Sequence, residues 1–434
     1  LYQNWGNVPL KQISWIQASA PCYHLSTGVV ETNCITALMA TKRARTLNTL
    51  PDHRTMSAPL WSDQPQHNSA GSHQWLAYTT ADKRYNATEF TDSVIDSYGP
   101  IYADVKNSYV SDDGCIKVSY THTEFPQTDE NRAFYEIRYE ILDSVSFSDF
   151  GNDFNFYATT PNDPTGRYTK VGYLNKDNEC VIADANKDKT KPIEYVLGDK
   201  CPYFSFFDME NYTSTSQQGY GNLSFLIYNA EFIINGAKCD PRFLLTDRAG
   251  TLSLSLDLDK VTLKAGDSFT VNAIVMPWGS QESIYDSDEF AGDQNVRNVR
   301  ENTLLNPLTP TAVADCTVME SVFVPRLKTT NGRSASFTLT GGENNVPVRI
   351  YGFDKLTVPV IEELVDGKWQ TYTVNSSYTP DYQGNRHFYD GYSVHYDGDG
   401  TFSYCFAVAM DHTDKDGRTF RITAAKDFEG WPKE

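Results

Sequence analysis

The chain has 434 residues and a formal net charge of −19, with 40% hydrophobic and 13% aromatic residues. That length exceeds one ordinary core, so two domains are expected, and the apolar fraction excludes wholesale disorder. A strongly negative field with no basic stripe excludes nucleic acid as a partner, and no apolar run nears the ~20 residues of a spanning helix, which argues against membrane insertion.

The first part of the chain carries little regular patterning. Its densest basic run, Thr41 to Arg54, reads as a solvated loop. The stretch "DQPQHNSAGSH", Asp63 to His73, then places His67 and His73 in a Gly/Ser/Asn loop flanked by Trp61 and Trp75. Irregularly spaced loop histidines suit a transition metal poorly. A cleft rim suits them better, because the apolar C–H face of a sugar packs on aromatic rings. Trp61, His67, His73 and Trp75 are therefore the candidate substrate-binding residues.

"IKVSYTHTEFPQTDENRAFYEIRYEI", Ile116 to Ile141, predicts a β-hairpin. Pairing Phe125 with Arg132 across the polar loop couples Ile116 with Ile141, Val118 with Tyr139, Tyr120 with Ile137, His122 with Tyr135 and Glu124 with Ala133. The opposite face couples Lys117 with Glu140, Ser119 with Arg138 and Thr121 with Glu136. A slip of one residue destroys both patterns, so alternation alone determines the register. The apolar face ends in an imidazole, a phenol and a carboxylate, and the expectation is that this end meets solvent. His122, Tyr135, Arg132 and Glu124 are the candidate catalytic residues, a set able to move a proton. The competing reading is a core-edge histidine beside a tyrosine.

Period-two alternation continues through "NLSFLIYNAEFII", "TLSLSLDLDKVTL", "SFTVNAIVM", "SASFTLT" and "VPVRIYGF". In "TFSYCFAVAM", Thr401 to Met410, large apolar residues face small ones, which predicts a strand buried on both sides. "DQNVRNVREN", Asp293 to Asn302, is the exception and predicts two or three helical turns. The loop-rich first part gives way to short regular strands near "LLTDRAGT", Leu244 to Thr251, so the expected domains are 1–250 and 251–434. The fold class is all-β: a multi-stranded antiparallel β-sandwich with a second, smaller β-sandwich domain.

Eight cysteines without a C-x-x-C pair permit disulfides, and Cys22 with Cys34 and Cys180 with Cys201 are near enough to close local loops. Cys115, Cys239, Cys316 and Cys405 allow three pairings, which stay open. Sequons at Asn86, Asn211, Asn222 and Asn375 fit the same setting, so a secreted or cell-surface location, extracellular or periplasmic, is expected. "DSDEFAGD" gathers Asp286, Asp288 and Asp293 as the candidate calcium ligands, whereas Asp397 and Asp399 sit in an Asp-Gly pattern that signals a hairpin turn first. No G-x-S-x-G elbow, P-loop or dinucleotide fingerprint occurs, which leaves esterase, nucleotide and dehydrogenase chemistry without support.

An acidic, aromatic-rich chain of many strands resembles the large β domains of polysaccharide lyases and related carbohydrate-active enzymes, including the galactose-mutarotase-like supersandwich. The resemblance is one of composition and strand pattern, and the helical domain that precedes the supersandwich in most helix-toroid lyases is missing. It implies that His122 or Tyr135 takes a proton beside a uronate carboxylate that Arg132 neutralises. The expected function is thus a secreted enzyme cleaving a polysaccharide by β-elimination. The alternatives are a glycoside hydrolase and a noncatalytic carbohydrate-binding or structural surface protein. In each case the expected partner is a polysaccharide or glycan. An enzyme should hold His122 and Tyr135 in a deep cleft, and a binder should offer exposed aromatics.

Overall fold

The computed structural model describes residues 69–74, 76–81, 83–98, 101, 103–125, 132–160, 168–207, 222–278, 291–342, 344–372, 378–380, 386–388, 392–410 and 416–424, with strand backbone at 11–16, 22–27, 31–32 and 46–49. The chain forms an all-β protein of two compact units. The larger comprises Leu1–Tyr98, Asp104–Glu124 and Glu130–Arg300, and the smaller Gly99–Ala103, Phe125–Asp129 and Glu301–Glu434. The helical elements among the described residues are Phe150–Asp153 and Ala291–Leu305, the second covering the predicted helical stretch.

The expected division near residue 250 is corrected by this arrangement. Leu244 to Thr251 is the bend of a hairpin in the larger unit, whose strands Phe243–Asp247 and Leu252–Leu256 pair down to Asp247 opposite Leu252. The strand Ser268–Trp278 also belongs there, between Ala133–Ile141 and Asn222–Ile234. A cluster of turn residues marks a reversal of the chain as readily as a linker, and here it marks a reversal.

The larger unit is a sandwich of a 12-stranded and a 9-stranded sheet. Aromatic side chains knit the layers together. Phe232 of the first sheet meets Phe243 of the second with ring centroids 5.7 Å apart, and Phe225 meets Tyr157 at 4.5 Å. Phe154 and Phe150 stack at 4.9 Å, and buried Tyr139 donates its hydroxyl to the Phe156 carbonyl at 2.7 Å. Each such pair adds about 0.5–1.5 kcal/mol beyond the area it buries, which is why an aromatic-rich strand set closes into this core. The smaller unit has two five-stranded sheets around Phe337, Phe406 and Phe420. Its strand Phe402–Met410 is buried along nearly its whole length, as the large/small alternation predicts.

Candidate functional site

The hairpin forms in the predicted register. Strands Ile116–Glu124 and Ala133–Ile141 pair from Thr123 opposite Phe134 to Ile116 opposite Ile141, with His122 opposite Tyr135. The two rings stack, with centroids 4.7 Å apart and 18° between planes. Both residues are completely buried, however, and Arg132 is 8% exposed. The expectation that this end of the face meets solvent is therefore not met. Burial pushes the His122 imidazole down to about 3, because a cation there would lose its hydration. In this arrangement the pair is part of the packing of the sheet. The side chain of Glu124 lies outside the described residues.

The remaining sequence candidates are not brought together among the described residues. Trp61, His67 and Trp75 lie outside them. His73 falls in the strand Ser69–Gln74, opposite Thr159, with its side chain likewise outside. Asp286 and Asp288 are outside, and Asp293 lies in the first turn of the helix Ala291–Leu305, again without a described side chain. Among the described residues no group of three His, Cys, Asp or Glu is placed to hold a metal.

The expected Cys180–Cys201 disulfide is also corrected, since both are free thiols. Cys180 opens the strand Cys180–Asp184 on one side of Lys170–Leu174, while Cys201 precedes Tyr203–Phe207 on the other. Two strand spacings, ~9.6 Å, exceed the roughly 7 Å that a disulfide spans between Cα atoms. Cys34 lies outside the described residues, so the Cys22–Cys34 pairing does too. The sequon at Asn222 begins the strand Asn222–Ile234, and its Ser224 is buried, hydroxyl to hydroxyl with Ser205 at 2.8 Å.

The other face of the same hairpin carries what the sequence reading missed. Because Val271, Ala273 and Val275 enter the core, Thr270 and Asn272 stand on the opposite side of Ser268–Trp278. Register then lines up Thr121, Glu136, Asn272 and Asn229 across four adjacent strands. The next row holds Ser119, Arg138, Thr270 and Glu231. A register shift between Ile227 and Asn229 distorts the fourth strand at this point, and such bulges re-aim side chains. Asn272 donates its amide nitrogen to the Asn229 side-chain oxygen. Its own oxygen is buried without a hydrogen-bond partner, and the residue is 5% exposed. Glu136 is half-buried and Asn229 exposed, so the row runs from shelter to solvent. The charges of the second row are spoken for. Arg138 pairs with Glu140 at 3.2 Å, and Lys238 with Glu231 at 3.0 Å. The signal in the sequence was the polar half of the alternation, which is usually dismissed as a solvated face.

A second buried polar cluster is structural. Asp247 is fully buried, and burial pushes its carboxyl up. It accepts from Tyr168 Oη at 2.5 Å, from the Asn186 backbone at 2.8 Å and from Ala249 at 3.1 Å. Ala249 has φ of +47°, a left-handed conformation costly for a residue with a Cβ, and the Asp247 contact holds it. Among the described residues every contact of this carboxylate is internal, so it pins the loop after Asn186 to the hairpin.

No family model matches the chain, and no curated protein does. Among solved structures it is similar to the GH36 α-galactosidase AgaA from Geobacillus stearothermophilus, with 10% identity and a TM-score of 0.33 over 65% of this chain and 40% of that one. It is similar also to the galactosidase domain of the α-galactosidase-sucrose kinase AgaSK, with 10% identity, a TM-score of 0.33, and 63% and 40% of the chains covered. A galactose mutarotase related enzyme from Lactobacillus acidophilus shows 8% identity and a TM-score of 0.25 over 48% of this chain and 80% of that one. The chain thus spans about 40% of the length of the galactosidases. Likenesses of this size bring no residue role with them, and none of these names a lyase.

Proposed function

We propose that this is a carbohydrate-active β-sandwich protein that binds a glycan on the outer face of the larger unit's 12-stranded sheet. One observation carries the reading: the buried, unpartnered side-chain oxygen of Asn272 in a row of planar polar groups with Glu136 and Asn229. An acceptor sheltered from water without a donor costs free energy of about 1–3 kcal/mol. That cost marks the row as incomplete without a ligand, and the half-buried Glu136 and exposed Asn229 are the groups of the row that a ligand hydroxyl can reach. The role is recognition, because the proton-transfer pair expected at His122 and Tyr135 is enclosed in packing. A secreted or cell-surface setting goes with this role and rests on the sequons at Asn86, Asn211 and Asn375.

The test is calorimetric titration and glycan-array binding of the full chain, alongside Asn272→Leu and Glu136→Gln. Loss of one ligand hydrogen bond should weaken binding roughly tenfold in either variant, with the melting curve retained for Glu136→Gln. Unchanged affinity in both folded variants, or no retained glycan for the parent protein, would overturn the assignment. Product analysis on the same glycans separates binding from cleavage.

A further inference from the structure

One five-stranded sheet of the smaller unit carries a patch of polar and aromatic side chains on its outer face. The strands run in the order Thr309–Ala314, Ser334–Thr340, Arg418–Thr423, Val360–Val365, Lys368–Thr371. Phe337, Phe420, Ile422 and Ile361 enter the core, so alternation leaves Thr338, Thr419, Arg421, Glu362, Leu364 and Trp369 on the other face.

Their geometry is specific. Arg421 lies opposite Glu362 and donates both Nε and Nη2 to one carboxylate oxygen, Oε2, at 2.9 and 2.6 Å. The guanidinium carbon sits 4.3 Å from the Trp369 ring centroid. Thr338 and Thr419 share a hydroxyl contact of 2.8 Å. Among the described residues, Glu362 Oε1, Arg421 Nη1 and the Trp369 indole N–H have no hydrogen-bond partner. Arg421 is 36% and Glu362 20% exposed, Leu364 is 39% exposed and Trp369 is half-buried. The face therefore offers an aromatic ring, an acceptor, a guanidinium donor and an indole donor within one patch.

We propose that this face docks a neutral polysaccharide chain. The indole edge and Leu364 take the C–H face of a sugar, and Glu362 Oε1 with Arg421 Nη1 takes its hydroxyls. Guanidinium already covers one face of the indole, so the sugar approaches the other face or the edge. The ion pair cancels its own charge, which leaves nothing to attract a polyanion against a chain of net charge −19. An open sheet face encloses no monosaccharide, whereas a polymer lies along it and can place a sugar on the indole and its neighbours on the flanking polar groups. The proposal uses its own residues and stands apart from the polar row of the larger unit.

The experiment is affinity electrophoresis of the full chain through gels containing a neutral glucan, xylan, mannan or galactan, with polygalacturonate as the charged control. Trp369→Ala, Trp369→Phe and Arg421→Gln are run beside the parent protein, each with its melting curve. At least one neutral polymer should retard the parent, and Trp369→Ala should weaken that retardation roughly tenfold, with Trp369→Phe between. Retardation by polygalacturonate alone, no retardation at all, or full retardation of folded Trp369→Ala and Arg421→Gln would overturn it. Because Asn272 and Glu136 are untouched, this result is separable from the test of the larger unit.

Discussion

The two units solve the same problem, a β-sandwich in water, with different margins. In the larger, Leu142 and Ile193 are the only large hydrophobics exposed among the described residues. In the smaller, Val313, Val318, Met319, Leu356, Val358, Val360 and Leu364 are all exposed. A smaller domain buries a smaller fraction of its surface, so some apolar side chains have nowhere to go. The larger unit has room to bury even polar groups, provided each is held, as Asp247 and Tyr139 are. The contrast teaches where each unit is vulnerable: the larger through its interior, the smaller through ties at its surface.

The hardest blow to that contrast is a cavity in the aromatic layer. Phe154 is fully buried and its ring meets Phe150, Phe156 and Phe269 at centroid distances of 4.9, 4.9 and 5.8 Å. Phe154→Ala should cost about 3–5 kcal/mol. Calorimetry should show the loss in one transition alone, leaving the smaller unit's melting unchanged. A uniform shift of the whole thermogram would mean that the units do not unfold separately.

Next in size is a pH effect confined to the larger unit. The folded His122 titrates near 3 against 6.5 in the unfolded chain, so the unfolded state takes up the proton first. The stability that this group contributes is present above pH 6.5 and is lost as pH falls toward 3. His122→Phe should flatten that part of the larger unit's profile, measured by denaturant midpoints at each pH. A profile as steep as the parent's would place the acid sensitivity elsewhere.

These tests bear on how much could be read from the residues. Alternation determined the hairpin register pair by pair, because one face must be apolar and a slip reverses it. It said nothing of what covers the loop end, so His122 and Tyr135 were placed together correctly and their exposure wrongly. Spacing suggested Cys180–Cys201, but the intervening strand Lys170–Leu174 is a tertiary fact that no count of residues reveals. The row of Thr121, Glu136, Asn272 and Asn229 draws on four strands, two of them far apart in the chain. Only Thr121 with Glu136 was visible as a pair.

Asp247 offers a middle-sized effect. Asp247→Ala leaves Tyr168 Oη and the Asn186 N–H without their acceptor inside the larger unit. The expected loss is about 1–3 kcal/mol in its transition, with faster hydrogen exchange around Asn186 and Ala249. Wild-type exchange there would mean that the carboxylate pins nothing.

The smallest effect belongs to the smaller unit's surface. Arg418 donates Nε to Glu363 Oε1 at 2.7 Å and Nη2 to Oε2 at 2.8 Å, a fork meeting a fork. The side chains are 21% and 17% exposed, so water screens the pair only in part. Such bidentate pairs exceed ordinary surface bridges, and about 1 kcal/mol is expected for their loss. Arg418→Lys keeps the charge and discards the fork, while Glu363→Gln keeps the shape and discards the charge. If geometry holds the tie, Arg418→Lys lowers the smaller unit's melting nearly as far as Glu363→Gln does. If charge alone holds it, Arg418→Lys stays near the parent and added salt weakens the parent toward Glu363→Gln. A loss appearing in the larger unit's transition instead would break the division of labour between a deep aromatic interior and a tied surface.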